Sequence, residues 1–402
     1  MPLYQYSAVD DIGESIRGRY TAKDKVELLQ MIREKKCYPV VVKEVVEEKD
    51  IKSLDLFNKV KTKDIAVFCR QFYAMLNAGV TIIQCLDILR QQTENRRLKE
   101  VTGEIYETIQ KGTTFSEALK GHRNIFPEIL ISMVEAGELS GTLDSVMDRM
   151  AVHFEKENRI YMKVKGAMVY PTVLSIVAVG VVAFLLTVVM PTFIGMFESS
   201  GVALPAPTRL LMAMSKGLQM YWYIILLVLS GGIYLLRRYT KTKQGKYAVD
   251  RLVLGIPVVN TTIKKVATSR FTRTLSTLLT SGIPLIQAME IVEKVIGNKV
   301  IGEGISNVRN ELRRGSELAP PIKRMGIFPP MVDSMIKIGE ESGTLDEILE
   351  KTADFYDDEV EAALQKMTTL MEPVLIVFMG VVVGFIVISM ALPMFDMVNT
   401  VK

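Results

Sequence analysis

Histidine and cysteine are scarce in this chain, and their placement excludes most metal chemistry. The 402 residues include two histidines and three cysteines. His122 and His153 form no His-Glu-x-x-His arrangement, and Cys37, Cys69 and Cys85 have no metal-ligand spacing. Three cysteines ahead of the first apolar run fit reduced thiols in a cytosol better than a disulfide framework. No Gly-x-x-x-x-Gly-Lys-Ser/Thr stretch occurs; Lys111-Gly112-Thr113-Thr114 has the residues in the wrong order to cradle a phosphate. The opening Met1-Pro2-Leu3-Tyr4-Gln5-Tyr6 lacks a basic stretch followed by an apolar one, so no cleaved signal peptide is expected. A formal net charge of +4 is too small to argue for nucleic acid. The expectation is a non-enzyme with no cofactor, no metal and no catalytic set.

Charge is also absent from three long runs, residues 166–197, 218–236 and 373–395. Each is close to or above the ~20 residues that a hydrocarbon core demands, and the mean hydropathy of the chain is positive. Pro171 and Pro191 fence the first run as Pro373 and Pro393 fence the third, a separation that spans ~30 Å of helix. A proline opening a span is tolerated because its missing N–H has no partner there. No ionisable residue lies inside a run, which counts against an ion or proton pathway. Lys156, Arg159, Lys163 and Lys165 precede the first run, and Arg237, Arg238, Lys241, Lys243 and Lys246 follow the second. Between them stand only Arg209 and Lys216, so that connection is expected outside and both polar regions in the cytoplasm. The approach to the third run is acidic, and its end is placed outside by alternation.

What the chain does have is a long internal repeat. Gly137-Glu138-Leu139-Ser140-Gly141-Thr142-Leu143-Asp144 returns 202 residues later as Gly339-Glu340-Glu341-Ser342-Gly343-Thr344-Leu345-Asp346. Phe126-Pro127 answers Phe328-Pro329, Pro171 answers Pro373, and Pro191 answers Pro393 at the same offset. Ala78-Gly79-Val80 matches Ser281-Gly282-Ile283 at 203, so one residue is lost in between. Each copy of about 130 residues is far longer than a solenoid repeat and is expected to be a domain with its own core. Ile65, Phe68, Phe72, Met75 and Leu76 fall on one helical face, and further helical segments follow up to the octet.

The fold expected is mainly α, a polytopic membrane protein with two repeated cytoplasmic helical bundles, three transmembrane helices and a small N-terminal α+β module. The boundaries run 1–46 for the module, 47–62 linker, 63–165 first bundle, 166–197 first span and 198–217 external loop. They continue 218–236 second span, 237–265 cytoplasmic connection, 266–372 second bundle, 373–395 third span and 396–402 external tail. The module rests on alternation in Leu3 to Val9, turn chemistry at Asp10-Asp11-Ile12-Gly13, a returning strand Ser15 to Thr21, and helical periodicity over Lys23 to Lys36. The second span has no counterpart in the repeat; it returns the chain so that both bundles lie on one side as parallel repeats.

The octets are the sharpest candidate for function. Gly137 and Gly339 are expected to end a helix in the left-handed conformation, and Thr344-Leu345-Asp346-Glu347 has capping-box spacing, with Ser145 in the glutamate's place after Thr142. Alternatively, the pairs Glu138/Asp144 and Glu340/Asp346 could hold a cation or meet a partner's basic groups. Downstream the copies differ in charge: His153, Glu155, Lys156, Glu157 and Arg159 face Phe355, Asp357, Asp358, Glu359 and Glu361 in alignment. Different neighbours would suit each copy, although solvated helix faces drift freely.

With both octets, Tyr4-x-Tyr6-x-Ala8-x-Asp10-x-x-Gly13, Tyr170-Pro171 and Glu372-Pro373, the whole chain resembles the inner-membrane platform proteins of type IV pilus and type II secretion machines (PilC/GspF). The resemblance implies a non-enzymatic scaffold in the bacterial inner membrane, multi-pass, with a cytoplasmic N-terminus and an external or periplasmic C-terminus. It implies docking of a cytoplasmic hexameric assembly ATPase, and receipt of pilin or pseudopilin subunits beside other inner-membrane machine components. Such a platform under a symmetric motor is expected to be a homo-oligomer in the lipid bilayer and to bind no nucleic acid. Pro171 and Pro373 are the candidate couplers between bundle and span. The rival reading is a membrane transporter or permease built from parallel repeats.

Overall fold

The computed structural model describes residues 3–10, 15–21, 37–45, 59–198, 205–256 and 259–400. These divide into two units, residues 1–59 and 60–402. In the first unit, β1 (Leu3–Asp10) is the central strand of a three-stranded sheet between β2 (Ser15–Thr21) and β3 (Cys37–Val45). Both pairings are antiparallel, with Val9 opposite Ser15 and Ser7 opposite Val41. The β1–β3 register slips between Ser7 and Ala8, where Pro39 faces Ala8. Pro39 thus sits at a bulge on an outer strand, where its missing N–H costs no ladder bond. The helix expected over residues 23–36 and most of the linker lie outside the described residues.

The second unit is helical. The first copy comprises α1 (Thr62–Asn77), α2 (Ile82–Gln92), α3 (Arg96–Gln110), α4 (Phe115–Lys120), α5 (Glu128–Ser140) and α6 (Leu143–Ala167). Then α7 (Val169–Phe184), a π-helical turn (Leu185–Val189) and α8 (Met190–Glu198) carry the chain through the first apolar run. The long α9 (Ala206–Thr240) holds the second run. After α10 (Lys243–Gly255) the second copy repeats the pattern: α11 (Val259–Thr280), α12 (Leu285–Val295), α13 (Lys299–Leu312), α14 (Ala319–Met325), α15 (Pro330–Ser342) and α16 (Leu345–Thr400). Three stretches, Leu143–Phe193, Ala206–Thr240 and Leu345–Pro393, are long and apolar enough to cross a membrane.

Helix ends follow the sequence closely. Thr81, Asn95, Thr114 and Asn298 accept hydrogen bonds from first-turn amides of α2, α3, α4 and α13. The buried faces meet around a repeated aromatic pair. Phe68 and Phe126 lie 5.5 Å apart, as Phe271 and Phe328 lie 4.7 Å apart. Phe72 stacks on Phe115 at 5.1 Å, and leucines 275 and 318 take their places in the second copy. Buried residues of both copies form one continuous cluster, from Ile65 to Phe154 and on from Ala267 to Tyr356. This corrects the expectation of a separate core in each copy: α5, α6, α11, α12 and α16 pack across the boundary.

Two further features depart from expectation. The connection expected as an external loop is helical from Ala206, and α9 kinks at Tyr221, whose φ/ψ of −116°/16° leaves the helical region. Its N-terminal half buries Leu211 against Leu186, Met190 and Ile386. The π-helical turn loosens the ordinary i→i−4 pattern there, and α9 supplies donors instead. Ser215 Oγ donates to Leu186 O at 2.5 Å, and Gln219 Nε2 to Thr187 O at 2.9 Å. Thr208 Oγ1 donates to Ser389 O at 2.5 Å. Thr187 and Ser389 are equivalent repeat positions, so one helix end holds the C-terminal parts of both repeat spans.

Candidate functional site

Each octet ends one helix and begins the next, α5 to α6 and α15 to α16. The left-handed residues are Gly141 (φ 72°) and Gly343 (φ 71°), not Gly137 and Gly339. The helix runs a full turn further than the sequence reading placed its end. Thr142 N then donates back to Gly137 O at 2.9 Å and Thr344 N to Gly339 O at 3.1 Å, closing the turn. Gly137 and Gly339 are small for a different reason. A Cβ on Gly137 would lie 2.9 Å from Val146 Cγ2, and one on Gly339 would lie 2.8 Å from Leu345 Cα. The outgoing helix crosses the incoming one too closely for any side chain.

The acidic members of the octet have separate tasks. Glu138 accepts from Phe115 N at 2.6 Å and Ser116 N at 2.9 Å, at the start of α4. Glu340 accepts from Leu318 N at 2.6 Å and Ala319 N at 3.0 Å, at the start of α14. In α14 the next residues are Pro320 and Pro321, which have no N–H, so Glu340 takes the available amides there. A carboxylate at a helix start is favoured by the dipole as well as by the hydrogen bonds. Asp144 and Asp346 occupy the first turns of α6 and α16. Thr142 makes no side-chain cap; its hydroxyl lies 2.7 Å from Ser140 Oγ, and Thr344 stands 2.7 Å from Ser342 Oγ. Among the described residues no group of three metal-ligating side chains converges. Only position 139/341 distinguishes the octets, with Leu139 86% exposed where the second copy has Glu341.

Beyond the octets, α6 and α16 run side by side toward the membrane and are tied by charge. Lys156 Nζ meets Asp354 Oδ1 at 2.7 Å, Lys163 pairs with Glu361, and Tyr170 Oη reaches Glu372 Oε1 at 3.5 Å. The opposite charges of the two copies therefore serve each other. On the inner side, Arg70 clamps Asp148 (2.6 Å) and Glu155 (2.9 Å). Its repeat equivalent Arg273 holds Asp354 (3.0 Å) and Asp357, with its side chain only 8% exposed. Sequence reasoning missed this clamp, although Phe68-x-Arg70 and Phe271-x-Arg273 repeat at 203 and Glu155/Asp357 at 202.

These contacts set the titration of the ladder. The hydrogen bond from Arg70 holds Glu155 below the usual carboxylate range. Burial works to raise Asp354, and the hydrogen bonds from Lys156 and Arg273 outweigh it, leaving the group below its ordinary value. His153 is 4% exposed, and burial together with the charges of Arg273 and Arg270 pushes it down to about 3. The ring is neutral, and its Nδ1 has no hydrogen-bond partner.

Pro171 and Pro373 stand differently in the two copies. Pro171 is buried in the first turn of α7, just after the break at Met168. Pro373 lies inside the unbroken α16, so it does not open a helix as expected. Lacking an N–H, it leaves the carbonyl of Thr369 without its helical donor.

The family model for type II secretion system (T2SS) protein F matches residues 68–191 and again 271–393, which are the two copies of the repeat. The chain belongs to the T2SS protein F family. Full-length relatives agree. The chain is 38% identical to the type IV pilus assembly protein PilC of Thermus thermophilus, covering 100% of both chains. It is 37% identical to the PilC of Myxococcus xanthus over 99% of this chain and 96% of that one. It is 33% identical to the type II secretion system protein F of Vibrio cholerae over 99% of each. With three apolar helices and this membership, the T2SS protein F family chain is a multi-pass inner-membrane protein.

Proposed function

We propose that this protein is the non-enzymatic inner-membrane platform of a type IV pilus or type II secretion machine. In this role it couples a cytoplasmic assembly ATPase to the insertion of pilin or pseudopilin subunits into a filament. The observation that carries the reading is the pair of helices that leave the octets and run on into the apolar stretches, cross-tied by Lys156–Asp354 and Lys163–Glu361. A displacement of either bundle is thereby delivered to both spans. The bundles and N-terminus lie in the cytoplasm and the C-terminus outside, following the basic residues around the first two spans. In the octets, Glu138 and Glu340 cap helices, which leaves Leu139, Glu341, Asp144 and Asp346 as the positions that could meet a partner. Pro171 and Pro373 weaken the helices where they meet the membrane and serve as compliant joints.

The test is co-purification of the cell's assembly ATPase with the full chain, alongside filament assembly by Pro171→Ala/Pro373→Ala. Capture of the ATPase with slowed assembly by the double variant is the expected result. A wild type that captures no ATPase overturns the platform reading, and normal assembly by the double variant overturns the role of the prolines.

A further inference from the structure

The helix α10, Lys243–Gly255, follows α9 with only two residues between them. Gly245 makes that turn possible: a Cβ there would sit 2.0 Å from Tyr239 O and 2.8 Å from Thr242 Oγ1. Thr242 caps the new helix by accepting from Gly245 N at 3.0 Å. The start of α10 therefore lies next to Thr240, four residues or ~6 Å of helix beyond the apolar run.

The far end is fixed independently. Lys265 pairs with Glu359 at 2.5 Å and Arg273 with Asp354 at 3.0 Å, so α11 and α16 run antiparallel. Val259, which opens α11, is then level with about residue 365 of α16, ~12 Å short of Pro373 where the third charge-free run begins. A 13-residue helix is ~20 Å long, and pointed straight into the cytoplasm it would end ~26 Å below the second span. Ile256 O accepts from Asn260 N at 2.9 Å, so the end of α10 stays beside the start of α11; both ends lie nearer than ~26 Å, and α10 is tilted well away from the direction of the spans.

Its chemistry matches that position. Arg237, Arg238, Lys241, Lys246 and Arg251 are all exposed. The one carboxylate between Arg237 and Ile256 is Asp250, and its Oδ2 is taken by Lys299 N at 2.7 Å, at the start of α13. Leu252 is 71% exposed and Ile256 50%, while Leu254 packs inward against the core. Five exposed cations beside two outward apolar side chains, at the end of a span, form the pattern of an interfacial helix.

We propose that α10 lies on the bilayer and selects anionic phospholipid, with Arg251 and Lys246 at the headgroups and Leu252 and Ile256 below them. A basic side chain near an anionic surface is worth roughly a fivefold preference. The chain has a single tryptophan, Trp222, so Trp222→Phe/Leu252→Trp places one reporter on α10 and Trp222→Phe/Leu139→Trp places one on the first bundle. The full chain is reconstituted in phosphatidylcholine with phosphatidylglycerol, with brominated acyl chains on one lipid or the other.

The expected result is strong quenching at position 252 and little at 139. Brominated phosphatidylglycerol should quench several-fold better than brominated phosphatidylcholine, and Lys246→Gln/Arg251→Gln should remove most of that preference. Circular dichroism of each variant checks that the helices are intact. Equal quenching by both lipids overturns the selectivity. Quenching at 252 no greater than at 139 overturns the surface position, and blue-shifted emission without quenching means that protein covers the face and also overturns it.

Discussion

Replacing Glu138 by alanine strips the start of α4 of its charged acceptor and leaves only the Thr114 cap on Glu117 N. Two amides, Phe115 N and Ser116 N, lose a charged partner at 2.6 and 2.9 Å, in a setting that is partly buried. A hydrogen bond to a charged group contributes ~1.5–3 kcal/mol, and solvent can reach part of this turn, so the pair together is worth about 2–3 kcal/mol. At 1.4 kcal/mol per factor of ten, the local opening equilibrium of α4 rises about 30- to 150-fold. Hydrogen exchange of the intact protein, read by mass spectrometry over residues 113–121, measures this directly. Glu138→Gln keeps one acceptor oxygen and should lose about half of the effect. Glu340→Ala should loosen residues 317–325 in the second copy and leave α4 unchanged. Unchanged exchange of α4 in Glu138→Ala refutes the capping account and returns the octet carboxylates to a purely external role.

Gly339→Ala puts a methyl 2.8 Å from the Leu345 backbone and should cost about 1–3 kcal/mol, with Gly137→Ala milder because its nearest neighbour is the Val146 side chain; thermal unfolding in detergent ranks them. Arg273→Ala leaves Asp354 and Asp357 without their shared cation and should cost about 3 kcal/mol in the same assay, and lysine should recover only part because a point charge cannot grip both carboxylates. The folded chain favours neutral His153, so its contribution is complete above about 6.5 and is lost as pH falls from there toward about 3. His153→Phe, the residue at the equivalent position 355, should flatten the decline of melting temperature over that interval. Glu155 and Asp354 are held below their ordinary values, so their contribution persists above about pH 4.5 and fades as pH falls below it, a lower limb that His153→Phe leaves in place.

The spans and the duplication were legible because each rests on a local signal, a run without charge or an octet that returns. The caps Thr81, Asn95 and Thr114 are equally local, but the helices were placed by apolar periodicity alone, which does not mark a cap. The octet's glutamates were not, since their partners lie 21 to 23 residues away and no spacing rule links a carboxylate to a remote helix start. The shift of the left-handed position from Gly137 to Gly141 is a boundary error between two glycines that both looked suitable. The N-terminal half of α9 fell outside the apolar window and read as loop. Thr208, Ser215 and Gln219, at spacings of seven and four, share one helical face, and that pattern was available. The inter-copy ladder was visible only as a difference in charge, since sequence alone does not say that the two copies are each other's neighbours.

The shared core has a mechanical consequence. Two bundles with independent centres would act as two separate handles, each moving its own span. With the buried side chains of both copies in one cluster, the two bundles behave as one stiff block. Beyond the proline joints, irregular helix then lies at the ends of the spans far from the bundles. There the π-helical turn and the Tyr221 kink interrupt regular helix, and among the described residues Thr208, Ser215 and Gln219 tie α9 to the repeat spans around a small apolar cluster. A load passed from the block along the spans meets the hydrogen bonds of Thr208, Ser215 and Gln219, which makes that helix end a fuse between the two repeats.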